Sequence, residues 1–262
     1  MKKFILLALL FSLADIWGTC HLTVVSYNVG VFNKYVKNSS PEVAAMVREV
    51  GADVIGLCEL DSCSIVRNQR RDQLAEFVDQ MGEGWKGHFG KAMSFGGGGY
   101  GVGAVVSPRF RVRESYTIPL PKGKGSEPRA AAVVETERFI FACAHLDYAD
   151  GPSRLRQAEI LSERLLERFE ATGKPVILCG DMNAAPDNAT MEFFRQNWDI
   201  ITSEDLTFPS DKPRSCIDYI MILRGSCEYD VIGHAGPKKR FWAGNPKTAS
   251  DHLPVIAKIR LH

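Results

Sequence analysis

Hydrophobic positions along the chain form short runs whose spacing alternates between that of strands and that of helices. Leu22–Asn28 predicts a strand, and the nearly continuous apolar runs Asp53–Leu60 and Pro175–Gly180 predict strands buried on both faces. Pro41–Val50 and Pro152–Thr172 have helical spacing, and each begins with proline, which the first helical position favours. The pattern is typical of an α/β protein.

The middle of the chain differs, because residues 85–146 contain short strand-like runs separated by turns rich in glycine and proline. Further predicted elements are helices over Gln69–Met81 and Ala189–Gln196 and strands over Ile217–Leu223, Glu228–Ile232 and Leu253–Leu261. Helical crossovers connect parallel strands, whereas tight turns connect antiparallel ones. We therefore expect a four-layer α/β sandwich, in which two packed mixed β-sheets are flanked by helices.

The N-terminus has its own pattern. Lys2 and Lys3 precede an apolar run, Phe4–Ala14, that is shorter than the roughly 20 residues needed to span a bilayer. This arrangement predicts a signal peptide over residues 1–20, cleaved after Ala14 or, in a loose lipoprotein box, before an acylated Cys20. The alternative is a buried N-terminal strand or helix. We expect an exported protein that is periplasmic, secreted or a cell-surface lipoprotein.

Composition supports a folded domain over residues 21–262, because 45% of the residues are hydrophobic and no repeat or low-complexity linker marks a boundary. Lys and Arg number 32 and Asp and Glu 31, which gives a net charge of +1. This balance excludes a bulk electrostatic attraction for nucleic acid or for anionic membranes. We expect a monomer.

The cysteines predict mostly buried free thiols. Cys58, Cys143 and Cys179 lie inside apolar strand-like runs, where a thiol acts as a small hydrophobic group. A disulfide between Cys216 and Cys227 is the one bridge that the sequence suggests.

Polar residues capable of chemistry recur where apolar strands begin or end. They are Asn28, Glu59, His145, Asp147, Asp181, Asn183, Asp218, Asp251 and His252. If the strands lie side by side, these side chains gather at one rim, and their carboxylates raise one another's pKa unless a cation is present. Carboxylate and amide oxygens suit Mg²⁺ or Mn²⁺, which often acts on phosphate esters.

Six segments resemble, in order, the motifs of the endonuclease/exonuclease/phosphatase superfamily. They are SYN (26–28), CEL (58–60), AHLD (144–147), GDMNAAP (180–186), IDYI (217–220) and SDHLPV (250–255). The resemblance covers about residues 22 to 261 and implies a metal-dependent phosphoesterase that hydrolyses phosphodiester bonds with an activated water. A phosphomonoesterase acting on inositol or sugar phosphates is the alternative, and a non-catalytic surface binding protein with the same fold is the rival.

The resemblance also implies roles for individual residues. Glu59 would be the main metal ligand, with Asn28 and Asp251 in the same shell. Asp181 would orient or deprotonate the attacking water, and Asn183 would donate its amide to the phosphate.

The resemblance implies roles for the two histidines as well. Asp218 would orient His252 and favour its imidazolium form, while His145 would lie near the leaving group or the phosphate and could act as general acid. Which imidazole is acid and which is base stays open. Arg129 lies where family members often keep an arginine that contacts the phosphate, and a surface arginine is the alternative.

One departure from the family concerns His145. Some members have a glutamate that orients this histidine, and Gly99 stands at that position here. Either Asp147 replaces the glutamate, or His145 contributes less to the rate. The substrate stays open between a lipid headgroup, a nucleotide or nucleic acid, and a sugar phosphate. A basic loop with Phe241 and Trp242 could either overhang the site and grip the substrate or pack against the fold.

Overall fold

The computed structural model describes residues 19–262, which form two six-stranded β-sheets packed face to face. The strands are β1 (Cys20–Asn28), β2 (Val54–Ser62), β3 (Lys86–Phe95), β4 (Gly98–Val106), β5 (Val112–Leu120), β6 (Arg129–Thr136), β7 (Ile140–His145), β8 (Val176–Asp181), β9 (Trp198–Ile200), β10 (Asp218–Leu223), β11 (Tyr229–Pro237) and β12 (Val255–Leu261). The helices are α1 (Ser40–Glu49), α2 (Ile65–Asn68), α3 (Gln73–Met81), α4 (Gly151–Thr172), α5 (Ala189–Asn197) and α6 (Pro246–Ala249).

Both sheets are mixed, as predicted. The first has the order β11-β12-β1-β2-β4-β3 and the second the order β5-β6-β7-β8-β10-β9. Each contains one parallel pair, β1 with β2 and β7 with β8, connected through α1 and α4 respectively. The other neighbouring strands pair antiparallel. The carboxyl ends of both parallel pairs carry the polar residues singled out in the sequence.

Three hydrophobic clusters separate the four layers. The cluster between the sheets includes Val24, Cys58, Phe141 and Ile220, all fully buried. A second cluster packs α1 and α3 on the first sheet, and a third packs α4 and α5 on the second sheet. The predicted four-layer α/β sandwich is therefore confirmed.

The predicted helix over Gln69–Met81 is too long at its start. The structure instead has the short α2, followed by residues in the left-handed region, with φ of 59° at Gln69 and 64° at Arg70. Helix α3 begins at Gln73 because Asp72 caps it, accepting a hydrogen bond from the backbone N–H of Ala75 at 3.0 Å.

The glycine-rich run 96–99 is less of a turn than its composition suggests. Only Gly96 and Gly97 turn the chain, whereas β4 starts at Gly98 and pairs with β3, a strand that the hydrophobic pattern did not reveal. A Cβ at Gly101 would lie 2.0 Å from the carbonyl oxygen of Gly90, so glycine is required where these strands approach.

The suggested disulfide between Cys216 and Cys227 is wrong, because all seven cysteines are free. Cys216 belongs to the cluster beneath α4 and α5, whereas Cys227 packs against the cluster between the sheets. The two thiols thus point into different layers.

The predicted signal peptide lies almost wholly outside the described residues. Of its 20 positions, only Thr19 and Cys20 are described, and Cys20 is the buried first residue of β1, opposite Leu261 of β12. From residue 19 onwards, no helix has both the length and the apolar character required to cross a bilayer.

Candidate active site

The predicted polar residues meet at one edge of the two sheets. Asn28 is the last residue of β1, and His145 and Asp181 are the last residues of β7 and β8. Within the second sheet, His145 and Asp218 flank Asp181 in register, so three consecutive strands present their side chains in a row. Asn28 comes from the facing sheet, which places the site where the two sheets meet.

Asp181 is the centre of this arrangement. Its Oδ2 atom accepts a hydrogen bond from Nδ2 of Asn28 at 3.0 Å, and it lies 3.6 Å from Nε2 of His145 and 3.7 Å from Nε2 of His252. Burial and the nearby carboxylate of Asp218 raise the pKa of Asp181 to about 7. A carboxylate with this pKa can take a proton from water near neutral pH.

His252 and Asp218 form a buried pair. Nδ1 of His252 lies 2.9 Å from Oδ2 of Asp218, and the ring of Phe208 packs on the imidazole with its centroid 4.7 Å away. Burial lowers the pKa of His252, but the charges of Asp218 and Asp181 outweigh it and raise that pKa to about 10. With this pKa, His252 is an imidazolium at neutral pH.

His145 has the opposite electrostatic environment. Burial, together with the positive charges of Arg129 and His252, holds the pKa of His145 well below its ordinary value. Nη1 of Arg129 lies 3.4 Å from Nδ1 of His145 and 2.8 Å from a carboxylate oxygen of Glu127. The two imidazoles of the site thus differ in charge at neutral pH, one neutral and one cationic.

Arg129 is buried, so the alternative of a surface arginine is wrong. Glu127 pairs with it and escaped the sequence reasoning, although the spacing of two residues in an extended segment places both side chains on one side. Nε of Arg129 is buried without a partner and remains a free donor. A contact between Arg129 and the phosphate stays a prediction.

Asp147 does not take the place of the missing glutamate. Its carboxylate accepts hydrogen bonds from the backbone N–H groups of Ala149 and Asp150 at 2.8 Å and from Ser126. These bonds shape the turn before α4, so the suggested pairing of Asp147 with His145 is wrong.

Asn183 lies two residues after Asp181, with φ of 48°, and its backbone N–H donates to Oδ1 of Asp181 at 2.9 Å. Its Nδ2 atom donates to the carbonyl oxygen of Leu146 at 2.9 Å. One amide hydrogen is thereby engaged and the other is available for a ligand.

The three predicted metal ligands lie on the first sheet and the loop before β12. Nδ2 of Asn28 donates to Glu59 at 3.1 Å. The register of β2 shifts between Leu57 and Leu60, and Glu59 there has φ of 60°. Such a bulge redirects a side chain, here toward Asn28.

Asp251 is attached to the same corner through Ser250, whose hydroxyl donates to the carbonyl oxygen of Asn28 at 2.6 Å. The carboxylate of Asp251 pairs with Nζ of Lys34 at 2.6 Å, a partner that no sequence signal indicated. Burial alone would lower the pKa of Lys34, but the negative charges of Asp251 and Glu59 outweigh burial and raise that pKa. A positive charge is therefore favoured beside these two carboxylates.

The donor groups fit a hard divalent cation. Glu59 and Asp251 offer carboxylate oxygens, which Mg²⁺ and Mn²⁺ prefer. The carboxamide oxygen of Asn28 accepts from the backbone N–H of Gly30 at 3.1 Å and keeps a second lone pair for a ligand. Ligand atoms of Asp181, Asp218 and His252 also lie within 4.8 Å of one another, and Oδ1 of Asp218 is buried without a partner. The site thus holds a concentration of buried negative charge that a cation would compensate.

Sequence comparison decides the family. The profile of the Endonuclease/Exonuclease/phosphatase family matches residues 25–252, a span that includes all the site residues above. The chain belongs to this family. Endonuclease/exonuclease/phosphatase enzymes hydrolyse phosphoesters, and this chain has their fold. No curated protein sequence gives a significant match.

Solved structures of the endonuclease/exonuclease/phosphatase fold superpose over most of the chain. A mannosyl-6-phosphatase from Bacteroides thetaiotaomicron has a TM-score of 0.69 at 20% identity, covering 91% of this chain and 99% of its own. The human Nocturnin catalytic domain with bound sulfate has a TM-score of 0.67 at 18% identity, covering 92% and 94%. Truncated Caenorhabditis elegans TDP2 has a TM-score of 0.66 at 15% identity, covering 92% and 97%. At these identities the likeness establishes the fold.

The loop containing Phe241 and Trp242 runs along α1. The backbone N–H of Ala243 donates to Glu49, the last residue of α1, and that of Asn245 donates to Glu42, in its first turn. A contact between this loop and the substrate stays a prediction. Phe241 packs partly buried on the cluster beneath α1. Trp242 is fully exposed, so the packing alternative holds for Phe241 alone.

Proposed function

We propose that this protein is a metal-dependent phosphoesterase that cleaves phosphodiester bonds by attack of an activated water. The contacts of Asp181 carry the proposal. One carboxylate oxygen lies within 3.7 Å of an amide from the facing sheet and of two imidazoles in opposite charge states. A buried base beside a cationic donor is the combination that hydrolysis of a phosphate ester requires.

In this mechanism Asp181 accepts the proton of the attacking water, for which its pKa of about 7 suits it. His252, held by Asp218, donates to a phosphoryl oxygen on which negative charge develops. Asn183 donates its remaining amide hydrogen to the same group. As the water oxygen bonds to phosphorus, the P–O bond to the leaving group breaks. The neutral imidazole of His145 donates a hydrogen bond to the departing oxygen, which takes its proton from solvent water.

Asn28, Glu59 and Asp251 would hold Mg²⁺ or Mn²⁺. When bound, such an ion neutralises charge on the phosphate oxygens and lowers the pKa of a bound water. The all-oxygen donor set and the positive charge of Lys34 beside Glu59 and Asp251 support this assignment.

A phosphomonoesterase acting on sugar or inositol phosphates is the second candidate. The structural match to the mannosyl-6-phosphatase favours this candidate, because the match covers 99% of that enzyme's chain. The net charge of +1 also argues against a long nucleic-acid footprint, which uses clustered lysine and arginine.

A substrate panel tests the proposal. Purified protein with Mg²⁺ or Mn²⁺ is assayed on bis(p-nitrophenyl) phosphate, p-nitrophenyl phosphate, DNA, sphingomyelin and sugar and inositol phosphates. Turnover of diesters that exceeds turnover of the matching monoesters supports the first proposal, and the reverse order supports the second. Absence of turnover on every substrate would establish the rival, a binding protein that kept the fold.

We further propose that the protein is exported as a monomer after removal of its N-terminal segment. The basic start and apolar run of residues 2–14 support export. Burial of Cys20 in β1 favours cleavage after Ala14 over acylation of Cys20. Mass spectrometry of the exported protein distinguishes the two, since an acylated N-terminal cysteine has a higher mass and an altered first residue.

A further inference from the structure

A cavity with a volume of about 90 Å³ lies between two loops that follow strands of the first sheet. It is bounded by the loop after β1 and by α2 with the residues that follow it. Gln73 connects the cavity to the site. Its Nε2 donates to the carbonyl oxygen of Val31 at 2.5 Å, and its Oε1 accepts from the backbone N–H of Asp61 at 2.7 Å. The cavity therefore begins three residues after Asn28 along the chain, at Val31, and Gln73 connects its wall to Asp61 of β2.

Asn68 is the unusual member of the cavity wall. Its Oδ1 and Nδ2 atoms are both buried, and neither has a hydrogen-bond partner. Folded proteins satisfy nearly all buried groups of this kind. Because Asn68 lines the cavity, a molecule inside it can supply the missing partners.

Other polar side chains of the wall face the solvent. Asn33, Lys37 and Gln69 are exposed, and Asn38 is half-buried. Two arginines brace the wall: Arg67 forms two bonds to Asp61, at 2.5 and 2.7 Å, and Arg71 pairs with Glu76. The wall thus combines fixed supports with the unpartnered carboxamide of Asn68 and a polar rim.

The backbone of the wall is held in unfavourable conformations. Val31 and Phe32 both have φ of 52°, Asn38 has 54° and Gln69 has 59°. A β-branched residue in this region is rare, and such conformations concentrate at ligand sites. The cavity therefore owes its shape to strain that the surrounding fold maintains.

We propose that this cavity binds hydroxyl groups on the alcohol portion of the phosphoester substrate, as found in a sugar, an inositol or glycerol. A hydroxyl both donates and accepts, so it can satisfy the two unpartnered atoms of Asn68 together. The volume exceeds several-fold the roughly 10–15 Å³ that one water molecule requires, which admits one edge of a ring. Phe32 is fully buried and offers no face on which a nucleobase could stack. The inference rests on the proposed phosphoesterase function.

Binding to an inactive form tests the inference. In the Asp181→Asn background, calorimetry gives the Kd of mannose 6-phosphate, inositol 1-phosphate, glycerol 3-phosphate and p-nitrophenyl phosphate, with and without Asn68→Leu. The matched control is Asn197→Leu, at an exposed position of α5. We expect Asn68→Leu to weaken binding of at least one hydroxyl-bearing ester by about tenfold and to leave p-nitrophenyl phosphate unchanged.

Among the three hydroxyl-bearing esters, the one whose affinity falls most in Asn68→Leu identifies the alcohol that supplies the hydroxyls. Equal weakening of all four ligands, or no change in any, would overturn the inference. The binding measurement stays valid if the wild-type protein turns over none of them, so a failure of the proposed function is recognised separately.

Thermal unfolding of Asn68→Leu in the otherwise wild-type chain gives a second readout. Because the carboxamide satisfies no internal partner, we expect the Tm to stay the same or to rise. A marked fall in Tm would show that Asn68 supports the fold and would overturn the assignment to ligand binding.

Discussion

Nδ1 of His252 lies 2.9 Å from Oδ2 of Asp218, and both side chains are buried. The pair fixes the orientation of the imidazole and keeps it protonated, which leaves Nε2 directed toward Asp181 at 3.7 Å. The chain contains a second Asp–His pair, Asp230 with His262, also at 2.9 Å but exposed. The two pairs share geometry and differ in burial.

Asp218→Asn is expected to lower kcat by about 10²- to 10⁴-fold, because the amide neither orients His252 correctly nor stabilises its charge. Asp230→Asn removes the exposed pair and is expected to leave kcat unchanged. Steady-state kinetics on whichever substrate the panel identifies measures both. If the double variant Asp218→Asn/His252→Ala loses as much as the two single losses multiplied, the residues do not act as a unit and this assignment is wrong.

Asp181→Asn is expected to lower kcat by about 10²- to 10⁴-fold, since the amide cannot accept a proton from water. Asp187→Asn, an exposed position six residues later, is the matched control and is expected to retain full activity. Circular dichroism confirms that both variants fold. Turnover of Asp181→Asn within tenfold of wild type contradicts a role as base.

Activity is expected to disappear in EDTA and to return with Mg²⁺ or Mn²⁺. Glu59→Gln is expected to raise the metal concentration needed for half-maximal activity, because one anionic ligand is lost. Glu83→Gln, exposed and remote from the site in sequence, is the control and should leave that concentration unaltered. Full activity in chelator would refute a metal-dependent mechanism.

Glu135 predicts a pH-dependent stability away from the site. Burial raises the pKa of its carboxyl, but bonds from Lys174, at 2.6 Å, and Arg168 outweigh this effect and leave the pKa below the ordinary 4.5. Stabilisation by the ionised group is therefore complete above pH 4.5 and is lost as the pH falls through the lowered value.

Glu135→Gln is accordingly expected to reduce the free energy of unfolding by about 1–3 kcal/mol at pH 7, with the difference shrinking in acid. Urea unfolding between pH 3 and pH 7 measures it. Glu137→Gln, whose carboxylate is more exposed and 3.8 Å from Arg113, should show a smaller change. A difference that is constant with pH would contradict the assigned pKa direction.

Thiol reactivity checks the free cysteines. Cys63 is exposed, while burial raises the pKa of Cys216 and Cys227 to about 11. We expect one fast thiol in the native protein toward a disulfide reagent, and its loss in Cys63→Ser. Persistence of the fast phase in Cys63→Ser, or an increase in thiol count after reduction, would contradict this distribution.

The sequence determined the strands that carry the site, because their apolar runs end in polar residues that a buried strand would otherwise exclude. Asn28, Asp181 and His145 lie at the strand ends where the pattern placed them. Hydrophobic periodicity failed for β3, whose alternation is weak, and for the start of α3, which a cap at Asp72 decides. Local signals of that kind are short and easily outweighed by tertiary contacts.

The partners of the site residues follow from how distant segments pack together. Glu127 beside Arg129, Lys34 beside Asp251 and the unpartnered carboxamide of Asn68 depend on which segments face one another across the sheets. The charge states of His145 and His252 likewise follow from burial and from neighbours far away in the chain. Hydrophobic pattern depends on neighbours within one element, whereas electrostatics and cavities depend on distances between elements that the order of residues does not contain.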